Sequence, residues 1–145
     1  MSTARPSPGA RPPGWQQAHA KRYIETDGRD GHDWEGVTTL LLTTTGRRSG
    51  QPRTTPLIYG RAGDKYLIVA SRGGAPKHPS WYENLAANPL VQVQVMADRF
   101  KARARTATPA EKPALWKTMA AIWPPYDEYQ QRTTREIPVV ILERT

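Results

Sequence analysis

Val37-Thr38-Thr39-Leu40-Leu41-Leu42-Thr43-Thr44-Thr45 runs directly into Gly46-Arg47-Arg48-Ser49-Gly50. Every residue of the first stretch is leucine or β-branched. Two heavy atoms on Cβ stiffen χ1 and favour extended backbone, so this uncharged run reads as a well-buried strand. The glycine-flanked basic segment is a turn, and residues 53–59 form the returning strand. Pro56 has no N–H to give a central ladder, so it marks an edge or a bulge. Two strands joined by a tight turn pair antiparallel, and the rest of the fold is built out from this hairpin.

Downstream, Ala62-Gly63-Asp64 is a second turn and residues 66–70 a short core strand. His78-Pro79 reads as a helix start with Pro79 at the first helical position; Trp81 and Leu85 fall on one face, and Asn88-Pro89 stops it. From Leu90 to Met96 the pattern alternates, with Val91, Val93 and Val95 on one side and Gln92 and Gln94 on the other, a half-buried strand. Asp98-Arg99 turns the chain into a strand over 100–106. Thr108-Pro109-Ala110-Glu111 is a capping box, opening a helix with Leu115, Met119 and Ile122 at helical spacing and ended by Pro124-Pro125. The last strand covers 137–142 and is central, because Val139 to Leu142 is uninterrupted and apolar. Upstream, 15–25 forms a short helix with Trp15, Ala18 and Tyr23 on one side, and 27–33 is a turn-rich loop. Pro6, Pro8, Pro12 and Pro13 among Ser, Gly and Ala make 1–14 a disordered arm. The expectation is a mainly β (α+β) fold in residues 15–145: about six antiparallel strands closed into a barrel, which removes the sheet's edges, with two or three flanking helices.

A chain of 145 residues suits one core. The absence of cysteine removes disulfides, thiolate metal sites and cysteine nucleophiles. No apolar stretch approaches the roughly 20 residues that cross a bilayer, and the expected compartment is the cytoplasm. Lys and Arg number 21 against 13 Asp and Glu, a net charge of +8 that favours an anionic partner.

Part of that charge sits where a ligand could use it. Arg47, Arg48 and Arg53 flank Gly46, Ser49 and Gly50; guanidinium forks grip phosphate or carboxylate, and glycines expose backbone N–H groups. A Walker A loop is excluded, since Gln51 and Pro52 stand where it needs Gly and Lys. In Ala70-Ser71-Arg72-Gly73-Gly74-Ala75-Pro76-Lys77 a strand end delivers a hydroxyl and two cations beside two glycines. Two such loops suit an extended anion better than either alone. Trp81, Tyr82, Trp116, Trp123, Tyr126 and Tyr129 could wall a planar ring; Trp116 and at least one of the others are expected in the core, while Tyr126 and Tyr129 lie in a polar segment that lets their hydroxyls face a cavity. His19, His32 and His78 fit no metal-ligand spacing, and Thr38 holds the place where a calcium loop counted from Asp27 needs glutamate.

Taken in order, residues 40–53, Pro56-Leu57, residues 70–79, Trp81-Tyr82-Glu83-Asn84-Leu85, Asn88-Pro89, residues 123–129 and residues 135–140 resemble the deazaflavin-dependent nitroreductase family of actinobacteria, over about residues 35–143. The resemblance implies a split β-barrel that binds coenzyme F420, a deazaflavin with a phosphate and a polyglutamate tail. It implies that Arg47, Arg48, Ser49, Arg53, Thr54, Thr55, Pro56, Leu57 and Ile58 contact this cofactor, the arginines taking its anionic tail. Val69, Ala70, Ser71 and Arg72 would bind near ring and phosphate; Ser80, Trp81, Tyr82, Glu83 and Asn84 would line the site from the helix start. Tyr126 and Tyr129 would cover the substrate pocket, with Tyr126 also touching the cofactor and Ser71, Tyr126 and Tyr129 as catalytic groups. The implied chemistry is hydride transfer from the reduced deazaflavin to a small-molecule acceptor: a quinone, a nitroaromatic or an activated enone. The alternatives are an FMN-binding split barrel, whose phosphate needs one basic cluster rather than two, and a cofactor carrier without turnover. A barrel binding single-stranded nucleic acid is the remote one. The resemblance leaves peripheral membrane contact weakly supported and the oligomeric state open.

Overall fold

The computed structural model describes residues 14–145, so nearly all of the arm expected at 1–14 lies outside the described residues. The elements in chain order are α1 (Trp15–Glu25), β1 (Asp33–Trp34), β2 (Val37–Thr45), β3 (Pro52–Ile58), β4 (Gly60–Ala62), β5 (Lys65–Val69), a 3-10 turn (Arg72–Gly74), α2 (Ser80–Ala87), β6 (Leu90–Val95), β7 (Asp98–Thr106), α3 (Lys112–Ile122), α4 (Pro125–Gln131) and β8 (Val139–Arg144).

All strand pairings are antiparallel, in the order β1-β2-β6-β7-β8-β5-β4, with β3 on β2. The opening hairpin pairs as expected, Thr45 opposite Pro52 through to Thr39 opposite Ile58. Pro56 is tolerated because β3 pairs only with β2. Strands β3 and β4 lie at opposite ends of the sheet, yet Tyr59 alone separates them in sequence. The sheet must therefore curl until those ends meet, which makes the split barrel.

Alternation decides what fills it. Leu40, Leu42, Ile68, Val91, Val93, Ala102, Ala104, Val140 and Leu142 point into the barrel with Trp81 and Leu85 of α2. Leu67, Val69, Val139 and Ile141, the opposite faces of β5 and β8, pack under Met119 of α3 and the aromatics of α4. So β8 is central and buried on both sides, and each large aliphatic side chain there contributes about 1.5–3 kcal/mol by leaving water. On the outer face of β2, Leu41 packs against Ala20 and Tyr23 of α1.

Several expectations need correction; Pro79, for one, is the extended N-cap of α2 and not its first helical residue. Eight strands are described rather than about six, because β1 and β4 are only two and three residues long, too short to show periodicity. Four α-helices are described rather than two or three: Pro124-Pro125 both stops α3 and starts α4, with Pro125 at the first helical position. Helix α1 buries His19, Ala20 and Tyr23 and leaves Ala18 exposed. Trp116 is only half-buried, its Nε1 donating to Asp127 Oδ1 at 2.8 Å. The reciprocal bonds of the capping box form, Glu111 N–H donating to Thr108 Oγ1 at 3.2 Å and Thr108 N–H to Glu111 Oε1 at 2.9 Å, but in the turn that precedes α3, whose N-cap is Glu111 rather than Thr108.

Candidate active site

The β2–β3 turn is held from inside and from the side. A Cβ at Gly46 would lie 2.6 Å from Ser49 Oγ and 3.1 Å from the Gln51 carbonyl oxygen, so a side chain there would make the hairpin tip shift. Asn84, buried on α2, accepts from the Arg47 backbone N–H at 3.1 Å and from its guanidinium at 2.9 Å, and donates to Thr44 Oγ1 at 3.2 Å. Glu83 takes the other side of the Arg47 guanidinium at 2.9 Å. Helix α2 thus clamps the basic turn.

The loop after β5 is unusual backbone. Arg72, Gly73 and Gly74 have φ of +46°, +63° and +82° in succession, the left-handed region that costs a side chain strain. Arg135 fastens it from behind. Its guanidinium donates to the carbonyl oxygens of Ser71 (2.7 Å), Ala75 (2.8 Å) and Ala70 (3.2 Å), and to His78 Nδ1 at 3.1 Å. Burial, then the nearby Arg72, lowers the Arg135 pKa from its ordinary value. Burial, then Arg135, likewise lowers that of His78, consistent with a neutral imidazole accepting at Nδ1.

Two adjoining cavities follow from these anchors. One, of about 500 Å³, is walled by Trp15, Gln16 and His19 of α1, Thr39, Thr55 to Ile58, Trp34, Val69, Ser71, Arg72, Gly73, Pro79, Ser80, Trp81, Trp123, Tyr126 and Tyr129. The other, of about 520 Å³, is walled by Gln16, Gln17, Gly46 to Ser49, Pro52 to Thr55, Ser80, Trp81 and Asn84. Gln16, Thr55, Ser80 and Trp81 belong to both, so the two make one groove. Arg47, Arg48 and Arg53 stand at one end, Arg72 in the other compartment, and the amino end of α2 opens between them, where its dipole favours negative charge.

The far compartment is aromatic. Trp15 stacks on Trp34 at 5.8 Å, Trp34 lies 5.6 Å from Trp123, and Trp123 Nε1 donates to Tyr129 Oη at 3.4 Å. Burial raises the pKa of both Tyr126 and Tyr129; Tyr129 adds to the rise at Tyr126, whereas the Trp123 hydrogen bond and then Arg132 oppose it at Tyr129. The Tyr126 hydroxyl has no hydrogen-bond partner among the described residues although the residue is only 5 % exposed. A buried hydroxyl left unpaired in the wall of a cavity suits a bound group that completes it.

Of the residues singled out from sequence, the groove collects Arg47, Arg48, Ser49, Arg53, Thr54, Thr55, Pro56, Leu57, Ile58, Val69, Ser71, Arg72, Ser80, Trp81, Asn84, Tyr126 and Tyr129. It does not collect Ala70, Tyr82 or Glu83. Ala70 is inside the barrel, Tyr82 shares a hydrogen bond with Thr106 Oγ1 at 2.7 Å, and Glu83 faces Arg47. Sequence reading missed the α1 wall, Trp34 and Thr39, which only tertiary packing brings to the groove. It quoted Arg135 within a motif and assigned it no part.

A basic, aromatic-ended groove on a split barrel suits a long anionic redox cofactor, and comparison with known proteins gives the class as a reductase. The family model for F420H(2)-dependent quinone reductases matches residues 15–144, and the chain belongs to that family. It is therefore an enzyme whose hydride donor is reduced coenzyme F420. An F420H(2)-dependent quinone reductase of Mycobacterium tuberculosis is 47 % identical over 135 residues, covering 87 % of each chain. The solved structure of an F420-H2 dependent reductase, FDR-A, is 46 % identical with a TM-score of 0.67, covering 72 % of this chain and 93 % of that one. A structure described as a domain-swapped dimer is 41 % identical with a TM-score of 0.71, covering 88 % and 96 %. No helix among the described residues is long and apolar enough to cross a membrane.

Proposed function

We propose that this protein, one deazaflavin-binding unit over residues 15–145, reduces quinones in the cytoplasm by hydride transfer, with nitroaromatics and activated enones as further acceptors. The observation that carries this reading is the shared wall of Gln16, Thr55, Ser80 and Trp81, which joins an arginine-lined compartment to an aromatic one. Arg47, Arg48 and Arg53 would hold the cofactor's acidic tail, and Arg72 with the α2 amino end its phosphate. Thr55 to Ile58, Val69 and Trp81 would flank the ring.

When bound, reduced coenzyme F420 supplies the hydride; the protein supplies position, electrostatics and exclusion of water. Ser71 and Tyr126 would donate hydrogen bonds to the acceptor oxygen as negative charge develops there. Tyr129, oriented by Trp123, closes the aromatic end. The raised pKa of Tyr126 keeps its proton in place at neutral pH, which suits a hydrogen-bond donor.

The test is oxidation of reduced coenzyme F420 by the pure protein across a panel of quinones, nitro compounds and enones. Quinone-dependent turnover is expected. Tight binding of the cofactor with no turnover on any acceptor would instead make the protein a carrier.

A further inference from the structure

We infer that His19, on the helix that roofs the groove, is the group that passes a proton to the acceptor through its Nδ1. The inference rests on the reductase reading above and adds the proton donor that Ser71 and Tyr126 do not provide.

His19 is 3 % exposed, yet the residue is among those lining the cavity. Its Nε2 lies 2.7 Å from the Gly31 carbonyl oxygen. That oxygen only accepts, so Nε2 carries a proton and Nδ1 of the neutral ring is a bare lone pair. Nδ1 has no hydrogen-bond partner among the described residues, whereas the Nε2 edge is engaged by Gly31, where an added Cβ would lie 3.1 Å from Cδ2 and 3.2 Å from Nε2. The nitrogen left over is the one on the other edge of the ring. His32 and His78 are committed elsewhere, to Tyr59 Oη at 2.9 Å and to Arg135 at 3.1 Å.

Reduction of a quinone needs a hydride and then a proton. The hydride carries both electrons and leaves a hydroquinone anion. Protonated at Nδ1, His19 can break that N–H bond as the acceptor's O–H bond forms; the neutral ring keeps its Nε2–H on Gly31 and regains a proton from water. Tyrosines with raised pKa values hold their protons too firmly for this step.

The charged and titratable surroundings set its pH range. Burial is the largest influence and lowers the His19 pKa from its ordinary 6.5. The Gly31 hydrogen bond opposes it, Arg22 on α1 lowers it further and Asp30 in the loop raises it. Tyr23 packs at 6.5 Å, Thr39 Oγ1 approaches Nε2 at 3.5 Å, and Arg72, Tyr126 and Tyr129 face the same cavity. The ring is therefore mostly neutral at pH 7, and its acid form grows as pH falls below 6.5.

The experiment pairs kinetics with spectroscopy. In His19→Gln and His19→Asn, kcat with a water-soluble naphthoquinone is expected to fall by about 100-fold, the usual scale for a lost general acid. KM for the quinone and the cofactor Kd should stay near wild type, and the rise of kcat toward acid pH should disappear. In the unaltered protein, nitrogen-detected NMR should show His19 as the Nε2–H tautomer, titrating below the ordinary imidazole value of 6.5 and shifting when the naphthoquinone is added. Variants that keep wild-type kcat and its acid limb, or a His19 resonance indifferent to the quinone, overturn the inference while leaving the reductase reading intact. A wild-type protein with no quinone turnover overturns both.

Discussion

The Arg135 guanidinium lies 2.7 Å from the Ser71 carbonyl oxygen, across a sequence separation of 64 residues. The same group reaches the carbonyls of Ala70 and Ala75, so one side chain sets the curvature of the loop that presents Ser71 and Arg72 to the groove. Its planar fork matters, because an ammonium cannot address three carbonyls and an imidazole from one position. Arg135→Lys should lower unfolding free energy by about 1–2 kcal/mol and weaken cofactor binding. Urea denaturation and a fluorescence titration with coenzyme F420 measure the two effects; unchanged binding would show that the loop holds its shape without this anchor.

Gly74 is the point where that loop meets α4. A Cβ there would lie 2.6 Å from the Tyr129 carbonyl oxygen, and its φ is +82°. Gly74→Ala should cost about 1–3 kcal/mol through strain at a left-handed position and the clash with backbone. It should also lower turnover, since Tyr129 sits in the cavity wall. Gly73→Ala is the control: it has φ +63° but nothing within 4 Å, so it bears the strain without the clash.

The hydroxyl of Tyr126 makes no bond among the described residues, so Tyr126→Phe removes nothing from the folded protein's own network. Stability should change by less than about 1 kcal/mol. Turnover with a quinone should fall about 10-fold, with cofactor affinity nearly constant, if the hydroxyl acts in the transition state. Equal turnover in the variant would take Tyr126 out of the chemistry.

The arginines are not equivalent. Arg47 is already engaged by Glu83 and Asn84, whereas Arg48 and Arg53 line the same compartment with no ion pair among the described residues. Arg53→Gln should therefore raise the cofactor Kd by about 10-fold at low salt, and less at high salt as the charges are screened. Glu83→Gln releases Arg47 and should tighten binding by about 2- to 5-fold. Titrations at two ionic strengths test both, and a Glu83→Gln protein that binds more weakly would show that the carboxylate positions Arg47 rather than competing for it.

How much of this was visible in the sequence depends on how far apart the interacting residues lie. The β2–β3 hairpin was legible because Thr, Val and Leu in a row admit little but a strand, and Gly46 to Gly50 admit little but a turn. Val139 to Leu142 read as central for the same reason. Helix α4 was hidden by Pro124-Pro125, since proline ends one helix and opens another with equal ease. Strand β4 is a three-residue piece made by the bend at Tyr59. Within the site, the arginine loop and the tyrosines were found because their residue types are conspicuous. His19 and Arg135 were not, because an isolated histidine on a short helix, or an arginine in a polar segment, carries no local sign of a partner 12 or 64 residues away.

The capping box in the turn before α3 also makes a prediction about acid. Glu111 receives a bidentate pair of hydrogen bonds from Arg105, at 2.7 and 2.9 Å, and a third from the Thr108 N–H. Arg105 first, and then Thr108, lower its pKa to about 2 from an ordinary 4.5. A carboxyl depressed in the folded state releases its proton more readily there than in the unfolded chain, so folding gains from it above pH 4.5 and loses that gain as pH falls toward 2. Glu111→Gln forfeits the ionic part at every pH above that window. The variant should therefore be less stable than wild type at pH 6, and the difference should shrink steadily between pH 4.5 and pH 2. Urea midpoints across that range give the comparison, and a gap that stays constant with pH would mean that Glu111 serves α3 through hydrogen bonding alone.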